Sequence, residues 1–104
     1  MDYFIFLVTV PNLELGKNLA RILVETKLAA CVNIIPNILS IYTWKEDIEE
    51  DNELLLLIKT TEQKSDELIA KVKEIHTYEN PECIGFKIEK ATEQYLDWIR
   101  DSVD

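Results

Sequence analysis

The only histidine of the chain, His76, is followed within six positions by Tyr78, Glu79 and Glu82 in the stretch "IHTYENPE". Neutral imidazole suits Cu(II), Ni(II) and Zn(II), and carboxylates supply oxygen donors, so His76 and Glu79 are the candidate metal ligands. One histidine falls short of a full coordination set, so Glu82 or a neighbouring subunit would have to complete it. The competing reading is local: a histidine at the end of a helix bonds the last carbonyls and interacts favourably with the helix dipole. Cys31 can ligate Cu(I) or Zn(II) as thiolate, but its surroundings, "LAACVN", mark it as a core filler. Cys83 packs or faces solvent. The two cysteines lack CxxC spacing, which excludes a zinc ribbon or a disulfide framework. Reduced thiols are the default of a cytosolic protein, and a cytoplasmic location is expected.

Twenty acidic and eleven basic residues give a net charge of −9, with no basic stripe. Nucleic acid and anionic membrane surfaces are disfavoured, and cations are the natural long-range guests. The run from Glu46 to Glu53, "EDIEEDNE", lacks the glycine and spacing of an EF-hand loop. It reads as a solvated strand whose charges resist edge pairing. The N-terminal "MDYFIFLVTVPN" has an acid where a signal peptide needs bases, and its apolar run is too short to cross a bilayer. No nucleophile motif is present, and the two glycines and two arginines form no phosphate-cradling loop. A non-enzymatic protein with no organic cofactor is expected, and no motif names a protein partner.

These side chains must be positioned by a small set of elements. The 104 residues, 47% of them hydrophobic, suit one domain over residues 1–104. "FIFLVTV" (4–10) is a continuous β-branched and aromatic run that predicts a strand covered on both faces. Asn12 can cap a helix carrying Leu15, Leu19, Ile22 and Leu23. Residues 30–44 predict a second strand, which Pro36 marks as an edge strand or a bulged one. After a turn at 45–47, residues 48–58 return as a third strand ending in "LLLLI". "TTEQ" (60–63) has capping-box spacing and opens a helix whose stripe is Leu68, Val72 and Ile75, with His76 at its end. Residues 83–89 alternate as a fourth strand, and Thr92 caps a last helix presenting Tyr95, Leu96, Ile99 and Val103.

The order β-α-β-β-α-β, plus one helix, is the split βαβ, ferredoxin-like α+β sandwich with a long β-hairpin and an extra C-terminal helix. In that topology strands one and three are central, and here they are the two most apolar runs. A nearly unbroken strand over residues 30–44 spans ~45 Å at ~3.3 Å per residue, against a radius of gyration of ~13 Å for a domain of this length. The hairpin must overhang its own core while carrying Tyr42 and Trp44, so a partner subunit is the simplest cover.

The ordered set "LAACVNIIP" (28–36), "SIYTWK" (40–45), "LIKT" (57–60), "HTYENPE" (76–82) and "YLDWI" (95–99), with "TVP" at 9–11, resembles the CutA family of divalent-cation tolerance proteins. The resemblance implies a homotrimer built through long hairpins and a role in divalent-metal tolerance, with copper(II) or a related divalent cation as ligand. It puts a cleft between subunits beside Tyr78 and Glu79, lined also by Lys59 and Trp44; a Glu79–Lys59 ion pair between subunits is the alternative use of those charges. Tyr42, Trp44, Tyr95 and Trp98 are the candidate interface residues. This chain departs from the family at several points. Thr77 follows the histidine, Asn80 follows the Tyr-Glu pair, and Glu46-Asp47 stand where the hairpin tip often has glycine. Val8 and Ile75 occupy positions that carry a cysteine and a second histidine in some members. A reading from another class is a trimeric sensor, resembling nitrogen-regulatory proteins, that binds a small anionic metabolite through Lys59 and Tyr78.

Overall fold

The computed structural model describes residues 1–104. Its elements are β1 (Tyr3–Val10), α1 (Leu13–Glu25), β2 (Cys31–Trp44), β3 (Asp47–Thr61), α2 (Glu62–Ile75), β4 (Ile84–Lys87) and α3 (Glu93–Val103). They form one antiparallel sheet in the order β2-β3-β1-β4. The two most apolar strands, β1 and β3, are thus the central ones, as the ferredoxin-like arrangement requires.

Two helix starts follow the sequence. Asn12 accepts from the backbone N–H of Leu15 at 2.8 Å, and Thr92 accepts from that of Tyr95. The capping box at residues 60–63 does not form. The cap residue of α2 is Thr61, which makes no side-chain cap bond, and Thr60 instead donates its hydroxyl to the Leu28 carbonyl at 2.7 Å. That bond ties β3 to the turn after α1, and Thr60 is fully buried there. β4 is shorter than the alternation of residues 83–89 suggests, pairing with β1 over four residues only.

Helices α1 and α2 cover one face of the sheet. Phe6, Val8 and Val10 of β1 and Leu56 and Ile58 of β3 pack there against Leu19, Leu23, Leu68 and Val72. The opposite face is also apolar. Paired residues share a face, so Ile5, Leu7, Leu55, Leu57, Ile84 and Phe86 lie together on it. Only one end of this face is covered within the chain, where Ile99 and Val103 of α3 pack on Tyr3 and Ala30. The expectation that β1 is covered on both faces therefore holds for one face of a single chain and not for the other.

The β2–β3 hairpin runs far past this core. The molecule measures 44 × 25 × 22 Å, with a radius of gyration of 14.2 Å. The arms are not split at Pro36; the ladder continues past it with one irregularity between Ile35 and Ile38, where Asn37 takes a left-handed conformation (φ 62°). Beyond this bulge Leu39, Ile41 and Ile48 are exposed. The hairpin closes through Lys45 and Glu46, both at positive φ (49° and 74°), a two-residue turn made without glycine. No helix is long and apolar enough to cross a membrane.

Candidate functional site

His76 ends α2, its backbone N–H still bonded to the carbonyl of Val72. Its ring is buried, and both nitrogens are in use. Nε2 lies 2.7 Å from the Thr9 carbonyl oxygen, and Nδ1 lies 3.1 Å from the Tyr78 backbone nitrogen. A carbonyl can only accept and a backbone N–H can only donate, so the imidazole is neutral with its proton on Nε2. It clamps the end of β1 to the loop after α2. The ring also packs on Tyr78, with centroids 4.7 Å apart.

Held in this way, Tyr78 donates its hydroxyl to Glu53 Oε2 at 2.6 Å. Burial, then the hydrogen bond and charge of Glu53, push the Tyr78 phenol well above its ordinary range. Glu53 is only 6% exposed, unlike the rest of the acidic run around it. The sequence reading of that run as wholly solvated misses this residue. The available signal was position: Glu53 directly precedes the apolar "LLLLI" and so stands where the strand enters the core.

The register of β2 and β3 brings further groups to the same place. Ile38 faces Glu53, Ser40 faces Asp51 and Tyr42 faces Glu49, so Tyr42 and Asp51 share a face of the hairpin. Tyr42 donates its hydroxyl to Asp51, and that bond pushes its phenol up to about 12. Between hairpin and loop lies a cleft of about 750 Å³ lined by twelve residues, among them Tyr42, Trp44, Glu53, Tyr78, Glu79 and Glu82. No lysine, arginine or histidine lines it. Glu53 also borders a smaller cleft of about 440 Å³ on the other side of Pro36.

Of the residues expected at the site, the structure brings Trp44, Tyr78 and Glu79 to one cleft, with His76 beneath it as a clamp. Lys59 is elsewhere. It pairs across the sheet with Ile5 and Cys31, and its ammonium is bonded to the Asn33 side-chain oxygen and lies 3.9 Å from the Cys31 sulfur. Within one chain the partner of Glu79 is accordingly Lys45 at the hairpin tip, at 3.9 Å, rather than Lys59. Sequence spacing could not fix this, because strand register decides which end of β3 meets the loop. Tyr95 and Trp98 form an exposed pair on α3 with ring centroids 5.5 Å apart. Cys83 is partly buried beside Glu82, and burial foremost pushes its thiol up to about 11. No three histidine, cysteine or acidic side chains of one chain gather closely enough to hold a metal ion.

Comparison with known proteins converges on one family. The sequence profile of the CutA1 divalent ion tolerance proteins matches residues 4–102. The divalent-cation tolerance protein CutA of Thermus thermophilus is 45% identical over 94% of this chain and 95% of its own length. Protein CutA of Homo sapiens is 47% identical over 89% of this chain and 52% of its own length. Among solved structures, CutA from Xylella fastidiosa superimposes over the whole of both chains with a TM-score of 0.97 at 34% identity. The matched span takes in the hairpin, the helix exit at His76 and most of the C-terminal helix, and this chain belongs to the CutA1 divalent ion tolerance family.

Proposed function

We propose that the chain works as a homotrimer in divalent-cation tolerance, binding copper(II) or a similar ion as a cytoplasmic binding protein rather than as an enzyme. The observation that carries the ligand reading is the cleft between hairpin and loop, which presents Glu53, Glu79 and Glu82 and no basic side chain in its lining. Its field favours cations, and the net charge of −9 adds to that attraction. Because ligating side chains do not converge within one chain, a closed metal site takes ligands from two subunits. Glu79 and Glu82 are the oxygen donors from this side. His76 serves by fixing the loop; to ligate, it would have to give up the Thr9 or the Tyr78 bond.

The trimer rests on the half-bare sheet. Ile35, Ile84 and Phe86 are exposed on the face away from α1 and α2, with Tyr95 and Trp98 of α3 nearby in sequence to β4 and also exposed. Apolar area of this extent is stable in water only when covered, and further copies of the same sheet suit it.

Copper titration by calorimetry tests the ligand reading. Wild-type protein should bind copper(II) with defined stoichiometry, Glu79→Ala and Glu82→Ala together should weaken it at least tenfold, and His76→Gln should have the smaller effect. Unchanged affinity in the double variant would remove the cleft as the metal site. An anionic metabolite is disfavoured as ligand, since the cleft lining holds no cation and Lys59 is engaged by Asn33.

A further inference from the structure

Glu53 is the one acidic side chain of the hairpin that its own chain buries. A carboxylate taken out of water is costly unless a donor meets it, and here the donor is the Tyr78 hydroxyl at 2.6 Å. A hydroxyl on a charged acceptor at that distance is among the stronger hydrogen bonds of a protein. Burial and Glu53 together hold the phenol well above its ordinary range, so it keeps the proton that it donates.

The place of this bond in the sheet matters. β1 and β3 pair as far as Val10 and Leu54, and Glu53 is the next residue along, where the hairpin leaves the core. Thr9 pairs with Leu55, so Thr9 and Glu53 stand on neighbouring strands two positions apart. The loop after α2 is fastened at both: His76 holds Thr9, and Tyr78 holds Glu53. One fastening leaves a chain free to swivel about it, whereas two, separated by a single residue, fix the direction in which it continues. Glu79 is the next residue, and Glu82 follows Pro81, whose ring restricts the backbone. Glu79 has no comparable support of its own. Its side chain is 73% exposed, and its ion pair with Lys45 at 3.9 Å is an exposed contact of little weight.

We infer that Glu53 is a positioning residue for the carboxylates of this loop. Through Tyr78 it sets where Glu79 and Glu82 stand, and it does so as a hydrogen-bond acceptor rather than as a ligand of the ion. The inference rests on the reading of Glu79 and Glu82 as oxygen donors and deepens it. Every contact it uses lies inside one chain and needs no open surface.

Two measurements on the full chain, freed of metal by chelator, test it. The first needs no ion: backbone order parameters from nitrogen-15 relaxation for Glu79, Asn80 and Glu82, with α1 as the reference for an intact fold. Tyr78→Phe keeps the ring on His76 and removes only the hydroxyl. It should take the loop from about 0.85, the rigid range, to below about 0.6 and leave α1 unchanged. Glu53→Ala should do the same, and Glu53→Gln, which keeps an acceptor for Tyr78, should stay near the wild type. The second is calorimetric titration with copper(II). Glu53→Ala and Glu53→Gln lose the same charge, so general attraction falls equally in both. Only Glu53→Ala loses the acceptor, and it should bind about tenfold more weakly than Glu53→Gln. Adding Tyr78→Phe to Glu53→Ala should change little further, because the two act through one bond. An equally rigid loop in Tyr78→Phe overturns the inference. So does equal copper affinity of Glu53→Ala and Glu53→Gln, which would make Glu53 a source of charge alone. Absence of copper binding by the wild type removes the metal reading, and the order parameters then decide the positioning of Glu79 and Glu82 by themselves.

Discussion

At the residue scale His76 acts within one chain as a clamp. The ring joins two segments far apart in sequence, Thr9 and Tyr78, through two hydrogen bonds that water cannot easily replace. His76→Ala should therefore lower stability by about 2 kcal/mol, read as a shift of the urea midpoint. His76→Gln, which can still donate to Thr9, should recover part of that loss. The phenols nearby answer to the carboxylates of β3. Tyr42 is held neutral by Asp51, with its pKa raised to about 12. A raised pKa in the folded state means that this contribution is complete below the ordinary tyrosine range near ~10 and disappears as pH climbs through the folded value. Tyrosinate absorbance followed against pH should show at least one phenol titrating late, and Asp51→Asn should move it down. Sequence composition showed which residues can titrate or ligate. It did not show that Glu53 is buried while its acidic neighbours are wet, because that depends on Tyr78 reaching it from a distant loop.

At the element scale, most of the chain's design was legible. Apolar runs marked β1 and β3, asparagine and threonine marked two helix starts, and Pro36 marked the bulge in β2. The failures have local physical causes. Thr60 found a better partner in the Leu28 carbonyl than in its own helix start. Lys59, expected in a cleft between subunits, lies within one chain at the end of β3 away from the hairpin cleft, beside Cys31. Two substitutions probe the strained or crowded points. Glu46 sits at φ 74°, a conformation costing an ordinary residue roughly 1 kcal/mol, so Glu46→Gly should stabilise the hairpin by about that amount in thermal or urea unfolding. Gly85 is the reverse case: a Cβ there would lie 2.5 Å from the Phe6 ring, so Gly85→Ala should cost about 1–3 kcal/mol by forcing ring and strand apart.

At the scale of the whole molecule, hydrophobic periodicity was ambiguous in an instructive way. Strands apolar on both faces read as a sheet sandwiched between layers, yet one chain supplies α1 and α2 on one side and only α3 at one end of the other. If further copies supply the missing layer, folding and association are linked, and the melting temperature must rise with protein concentration. Light scattering should then find a particle of three times 12.1 kDa, and Leu57→Asp should dissociate it. A stable single-chain particle for the wild type would refute the trimer.

The half-bare sheet also bears on the molecule's earliest moments. A newly made copy that has folded alone presents a greasy plane including Ile84 and Phe86, which residues 1–104 leave open. If further copies cover that plane, its lifetime as a singleton is set by how soon it meets its siblings. When synthesis is sparse, chaperones and clumping compete for the same surface, so the yield of finished protein should depend on the rate of production as well as on the stability of the product.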